Sequence, residues 1–568
     1  MKTTLFTTLF AASIVAAIPL QAVSSSSIES RQNGCVNSAT DRGCWGEYSI
    51  DTDTYLTIPS TGVTREYWLS AEKAYLSPDG VEIEALTFNG TLPGPTITAD
   101  WGDNLVIHVT NNLPDNGTTI HWHGMRQLGT SEADGVPGVT QCPIAPGETY
   151  TYRFHASQHG TTWYHSHFTL QYGDGMLGPL IINGPATANY DVDLGPVMLS
   201  DWSHESVFTL WYTAQQGAPP TLENGIINGL NTFGDLGKKT EFVFEQGKTY
   251  RMRLINSAID GHFQFSIDGH SFQVIAADLV PIVPYNATSI SISIGQRYDI
   301  IVEANATTTE TTDFWMRAGW VTSCSDNDNS DDISAIIRYD NTSTADPTTT
   351  GETVGTNCGD EALASLVPHV SLDVGTFGDL NVADLFYEIG DSFTWTINSS
   401  SLLLDWAEPT NLRLLNGDDI WPTEYNVIPI DASATNNWAV FVIIDQTGFG
   451  ITHPIHMHGH DFWVIGQSDE TYDSDTVVFN LTNPPRRDVA SLPGNGYLAI
   501  AFQIDNPGAW LLHCHIAWHA SQGLALQFVE SETSIVATFS DTAAIEETCD
   551  AWDEYVPVQA WAEDDSGI

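Results

Sequence analysis

Positive charge is what this chain has least of: 18 Lys and Arg stand against 71 Asp and Glu, for a formal net charge of −53. Such a surface repels other polyanions, which excludes nucleic acids and anionic membranes as partners and favours solubility in mildly acid surroundings. Long apolar runs are almost as scarce. Beyond residues 5–18 nothing approaches the length of a bilayer span, so no membrane-crossing helix is expected. Cysteine is sparse and odd in number, at seven. What the chain does have is length: 568 residues, room for three or four domains at about 150 residues each.

The apolar run from Leu5 to Ile18 follows Lys2 and precedes small residues at Ala17 and Ala22, the pattern of a secretory signal. The Ser-rich piece from Ser24 to Arg31 reads as a short propeptide. Asn-x-Ser/Thr sequons at Asn89, Asn116, Asn286, Asn305, Asn341, Asn398 and Asn480 suit an exported glycoprotein. An oxidising compartment pairs six cysteines and leaves one. The odd one should be Cys514, which alone sits inside a histidine cluster. Proximity then suggests Cys35 with Cys44 and Cys324 with Cys358, and elimination leaves Cys142 with Cys549, tying the tail to the first domain.

The chain reads as all-β. Asn104 to Thr110, Thr149 to Phe154, Glu241 to Phe244, Tyr250 to Ile255, Tyr298 to Val302, Val440 to Ile444 and Tyr497 to Gln503 are alternating or apolar runs of strand length. Turn chemistry separates them, as in Leu92-Pro93-Gly94-Pro95, Asp268-Gly269 and Pro493-Gly494-Asn495-Gly496. Sandwiches or barrels follow. The Thr-rich stretch from Thr342 to Gly351 is a linker candidate between a second and a third domain. The acidic run from Asp326 to Asp332 is read as a solvated loop in preference to a cation site.

The chemistry concentrates in His513-Cys514-His515-Ile516-Ala517-Trp518-His519. In an extended strand Cys514 points one way and its two neighbours the other, so one thiolate and two imidazoles serve separate metals. His519, four residues past His515, can turn back to share a metal with the sulfur. Two His and one Cys with a weak axial position form the blue-copper arrangement. The second His is best supplied by His453, ahead of the alternating pair His456 and His458.

An internal repeat supports this division. Ile120-His121-Trp122-His123-Gly124 matches Ile455-His456-Met457-His458-Gly459 at an offset of 335 residues. Trp163-Tyr164-His165-Ser166-His167 resembles Leu511-Leu512-His513-Cys514-His515 at an offset of 348, which also carries Gly175 onto Gly523. The first and last domains therefore share a fold unit. They differ where Ser166 answers Cys514, Gln171 answers His519 and Thr118 answers His453, so the blue-copper site belongs to the last domain. Four His-x-His pairs supply eight imidazoles, more than one or two ordinary sites need. They suit three metals held between domains, with copper favoured by ligand type and zinc still compatible.

These motifs resemble those of the multicopper oxidases, and more narrowly of ascomycete fungal laccases, over essentially the whole mature chain. The resemblance implies three consecutive cupredoxin-like Greek-key β-sandwich domains. The expected division is a signal peptide at 1–22, an N-terminal segment at 23–34, domains at 35–188, 189–345 and 346–540, and a tail at 541–568. It further implies four copper ions. Type 1 copper takes His453, Cys514 and His519, and type 2 takes His121 and His456. One type 3 copper takes His123, His165 and His515, and the other takes His167, His458 and His513. Phenolic or aromatic reductants would give single electrons at the exposed edge of His519, and dioxygen would leave as two waters. A secreted, extracellular monomer is expected. Lignin breakdown, pigment synthesis and detoxification are all compatible roles.

Family spacing places Leu524 at the axial position, where it cannot ligate. Asp260 aligns with the acid that accepts the phenolic proton, although Asp-Gly is also an ordinary turn. Trp518 lines the substrate pocket or fills core. Asp134 resembles the acid that relays protons near type 2, with Asp565 a second candidate, each against the alternative of a solvated carboxylate. Asp565-Ser566-Gly567-Ile568 resembles the family's C-terminal plug, whose pattern more often ends in Leu. His108, His155, His159, His204, His262, His270, His369 and His460 are read as structural. Competing readings are a ferroxidase, a bilirubin or ascorbate oxidase-like enzyme, and a non-catalytic copper-binding wall protein.

Overall fold

A computed structural model describes residues 34–307, 311–378, 380–390, 392–433, 436–556 and 565–568. The signal-peptide and propeptide expectations lie outside these residues. Three two-sheet β-sandwiches follow one another along the chain. In the first, a sheet of Ile83–Phe88, Thr64–Leu76, Asn104–Asn111 and Thr149–His155 faces one of Ile97–Asp100, Leu177–Asn183, Gly160–Ser166 and Ile120–His123. The middle and last sandwiches each pair a six-stranded with a five-stranded sheet. Asn104–Asn111 shows why these segments become strands: Leu105, Ile107 and Val109 are buried on one face, while Val106, His108 and Thr110 stand on the other.

Five elements position the candidate ligands, with His167, His458 and His515 each one residue past a strand end: β1 (Ile120–His123), β2 (Gly160–Ser166), β3 (His453–Met457), β4 (Gly508–Cys514) and the short helix α1 (Ala517–Ser521). The repeat is visible in their pairing. β1 lies antiparallel to β2 with His121 opposite His165, and β3 lies antiparallel to β4 with His456 opposite His513. Leu177–Asn183 flanks β2 as Ala525–Glu530 flanks β4. Both copies therefore present their His-x-His pairs at the same sheet position.

Disulfides join Cys35 to Cys44, Cys324 to Cys358 and Cys142 to Cys549, and Cys514 is a free, buried cysteine. The Cys142–Cys549 link fastens the helix Thr542–Tyr555 to the first domain, and Trp552 packs near Phe168 of that domain and Trp406 of the last. The acidic loop is largely solvated, with Asp332 paired to Lys239 at 2.9 Å. No described helix is long and apolar enough to cross a membrane.

Candidate metal centres

Two buried centres form where the first and third sandwiches meet and where α1 folds back on β4. At the second, Cys514 Sγ lies 3.7 Å from His453 Nδ1 and 3.6 Å from His519 Nδ1, and the two nitrogens are 3.1 Å apart. β3 supplies His453, β4 ends on Cys514, and α1 brings His519 back over the sulfur. Leu524 is buried beside them, its N–H donating to His519 O and its carbonyl accepting from Cys514 N.

At the first centre, imidazoles of the two sandwiches interleave. His121 stacks on His458 with ring centroids 3.8 Å apart, and His123 on His456 at 3.9 Å. Donor atoms converge in the groups His123, His165, His515 and His167, His458, His513, each within 4.8 Å, and His121 Nε2 faces His456 Nε2 at 3.4 Å. His121, Asp134 and His458 also lie close together. That contact uses outward-facing nitrogens already engaged with Asp134, so it orients ligands instead of forming a further site.

Hydrogen bonding tests whether metals fit. Nδ1 of His121 donates to Asp134 O (2.9 Å), that of His456 to Asp488 O (2.8 Å), that of His458 to Asp134 Oδ2 (2.8 Å), that of His165 to Ser166 O and that of His513 to Cys514 O. A neutral imidazole carries one proton, so every one of these rings turns a bare Nε2 lone pair inward. Inward lone pairs then face each other, as at His458 Nε2 and His513 Nε2, 3.4 Å apart. Without a cation between them such pairs repel. Buried His165 Nε2 and both nitrogens of His167 have no hydrogen-bond partner.

Electrostatics agrees with this. Burial holds His123, His165, His167, His456, His458, His515 and His519 well below the usual imidazole range, and His453 and His513 at about 4. Neutral imidazoles are the form that ligates. Burial pushes the Cys514 thiol up, and a soft cation is what would draw the proton off it. The donor set, imidazoles with one thiolate, fits copper.

Asp134 is fully buried between His121 and His458, which removes the solvated-turn alternative. His519 is 8 % exposed, so its edge is not at the open surface as expected from sequence. It is reached through a cavity of about 310 Å³ lined by Phe393, Trp395, Phe449, Ile451, Trp518 and Gln522 among others. Trp518 thus belongs to both the core and the cavity wall. Asp260 opens into an adjoining cavity that shares Phe449 and Ile451. Its Oδ2 has no partner, and burial, with Asp201 and Asp326 nearby, raises its carboxyl to about 8. Ile568 is buried and lines a narrow space with His165, His167, His513 and His515. Ser566 anchors it through bonds to Ser521 O and Ala520 O, while Asp565 Oδ1 accepts from Gly567 N.

Sequence reasoning missed Asp488 and Arg297. Asp488 Oδ1 lies 3.2 Å from His123 Nε2, and Arg297 of the middle sandwich grips both carboxylate oxygens, at 2.6 Å for Oδ2. In a chain with so few cations, a pass over each Arg would have singled out Arg297 and the Arg486-Arg487-Asp488 run. Among the remaining histidines, His460 pairs with Glu530 at 3.0 Å and His204 with Asp79 at 2.8 Å, and His159 packs against the Trp101 ring.

Sandwiches in series with a Cys–His pocket and an eight-imidazole interface define a multicopper oxidase, and the chain belongs to that family, which matches residues 70–187, 193–342 and 395–534. It is an enzyme of this family, with the copper binding that membership carries. Its relatives are narrower in kind. Laccase-2 of Botryotinia fuckeliana is 57 % identical across 100 % of this chain and 99 % of that one, and the laccase of Cryphonectria parasitica is 41 % identical across 95 % of each. The crystal structure of a laccase from Botrytis aclada superposes with a TM-score of 0.91 at 59 % identity, covering 94 % of this chain and all of that one. Fet3p, a multicopper oxidase that functions in iron import, superposes at 0.77 with 27 % identity over 86 % and 95 %.

Proposed function

We propose that the chain is a secreted laccase that takes single electrons from phenolic or aromatic reductants at the cavity beside His519 and reduces dioxygen to water at the interface between the first and third domains. The observation that carries this reading is the end of β4, where Cys514 faces one centre while His513 and, one residue past the strand, His515 face the other. Four coppers would be held as the resemblance implies: type 1 by His453, Cys514 and His519, type 2 by His121 and His456, and a type 3 pair by His123, His165, His515 and His167, His458, His513. Bound there, copper supplies one-electron oxidation at one site and four-electron reduction of dioxygen at the other.

The residues do the positioning. His519 forms part of the cavity floor and separates a reductant from Cys514. Residues 513–515 make a covalent route of three residues between the centres. Asp134 and the Asp488 carbonyl fix imidazole tautomers at the cluster. Asp260 holds an unpartnered carboxylate oxygen where a phenolic proton can be received. Ile568 narrows the space beside the cluster, favouring molecules the size of dioxygen and water.

An iron(II) substrate would want carboxylates at His519. Among the described residues no Asp or Glu lines that cavity, whereas aromatic rings do. The same reading sets the domains at 35–188, 189–345 and 346–540 and makes the protein an extracellular monomer, in keeping with three disulfides. Metal analysis with visible and electron paramagnetic resonance spectra should find four coppers in three classes, and oxygen uptake should be faster with a phenol than with Fe(II). A colourless holoprotein, or uptake driven by Fe(II) alone, would refute the assignment.

A further inference from the structure

We propose that the hairpin of Asn381–Ile389 and Phe393–Ile397 carries a solvent-side aromatic subsite that seats the second ring of an uncharged phenolic dimer or oligomer while its first ring occupies the cavity at His519. This rests on the phenol-oxidising reading above and extends it to a substrate class.

The hairpin's register places the rings. Tyr387 is the Cα partner of Trp395, and Ile389 of Phe393, so all four side chains share one face. That face runs outward from the cavity floor. The Trp395 ring, 2 % exposed, lies 4.6 Å from His519, and Phe393 lies 5.1 Å from Trp395. Tyr387 then stacks on Phe393 at 5.5 Å and 8°, and meets Phe449 at 4.6 Å. Exposure grows along the same line: Tyr387 is 36 % exposed, Phe449 48 % and Ile389 78 %.

The inner edge of this shelf is fixed. Gly217 sits at φ +81°, and a Cβ there would meet the Phe393 ring at 2.8 Å. An apolar ledge with one near-parallel ring pair, Tyr387 and Phe393, continuous with the cavity and open to water, is the kind of patch that marks a binding site. Offset stacking and edge contacts suit an aryl ring. A net charge of −53 disfavours carboxylated oligomers, which leaves neutral ones as the occupant.

The test uses the copper-loaded full chain with two substrates: a neutral methoxyphenol and its neutral biaryl dimer. Tyr387→Ser and Ile389→Ser should each raise KM for the dimer about five- to tenfold and leave its kcat, and both constants for the monomer, unchanged. Tyr387→Phe should restore the dimer's KM. Calorimetric binding of the O-methylated dimer, which lacks an oxidisable phenol, should weaken in the same two Ser variants. Unaltered dimer KM and binding in both Ser variants would overturn the subsite, as would equal losses for the monomer. A wild-type protein that oxidises neither phenol would instead bring down the underlying reading, and the subsite with it.

Discussion

Asp134 Oδ2 lies 2.8 Å from His458 Nδ1, so a buried carboxylate of the first domain orients an imidazole of the third. The same residue's carbonyl oxygen accepts from His121 Nδ1 at 2.9 Å. Asp134→Asn can present an amide N–H to His458, which favours the wrong tautomer and turns its lone pair away from the cluster. Copper retention against a chelator should weaken by about 10- to 100-fold. The type 1 absorption should survive, since Asp134 touches none of His453, Cys514 or His519. Equal loss of both signals would show a general defect instead.

Asp260, if it receives the phenolic proton as proposed, should separate two kinds of reductant. Its carboxyl, raised to about 8, must be ionised to receive a phenolic proton, so the ratio of phenol to non-phenol turnover should climb with pH towards a midpoint near 8. Asp260→Asn should abolish that climb and cut phenol kcat/KM by about 10²-fold or more, with little effect on a non-phenolic donor. The same shift acts on stability. A carboxyl raised in the folded state makes folding less favourable as pH rises from its ordinary range towards 8, so Asp260→Asn should stabilise the protein at neutral pH.

Removing copper exposes the opposite dependence. His453 and His513 titrate near 4 when folded and near 6.5 when unfolded. The unfolded chain therefore binds more protons between these values, so the apoprotein's stability is full above about 6.5 and is lost as pH falls towards 4. Chemical denaturation of the apoprotein across this range should show the decline. A flat profile would mean that these rings are not held neutral.

In the proposed type 1 site Leu524 would leave the axial position without a ligand. Leu524→Met, buried beside Cys514 and His519, would offer a weak thioether donor and should lower the potential. Redox titration of the blue band measures this directly, and an unchanged or raised value would reject Leu524 as the axial residue.

The fold and the ligand groups were legible because both are written at short range. Period-two burial marks Asn104–Asn111, and four His-x-His pairs with Cys514 mark the metals. Charge scarcity could flag Arg297 and Asp488 but not their role, which lies in a contact across 191 residues between domains. Burial was equally hidden. Asp134 sits in an Ala-Asp-Gly turn that looks solvated in sequence, yet it is enclosed between His121 and His458. The hairpin carrying Tyr387 and Ile389 has no marker of its exposure in the sequence, because exposure is decided by what lies opposite.

His121 and His456 face each other across 335 residues, and each repeat contributes four of the eight imidazoles. Neither half can close the ring of donors unaided, so a lone ancestral copy could have held such a cluster only by docking against a twin. In today's chain the same arrangement makes the cluster conditional on docking: a molecule whose outer domains fail to meet cannot bring its eight imidazoles together.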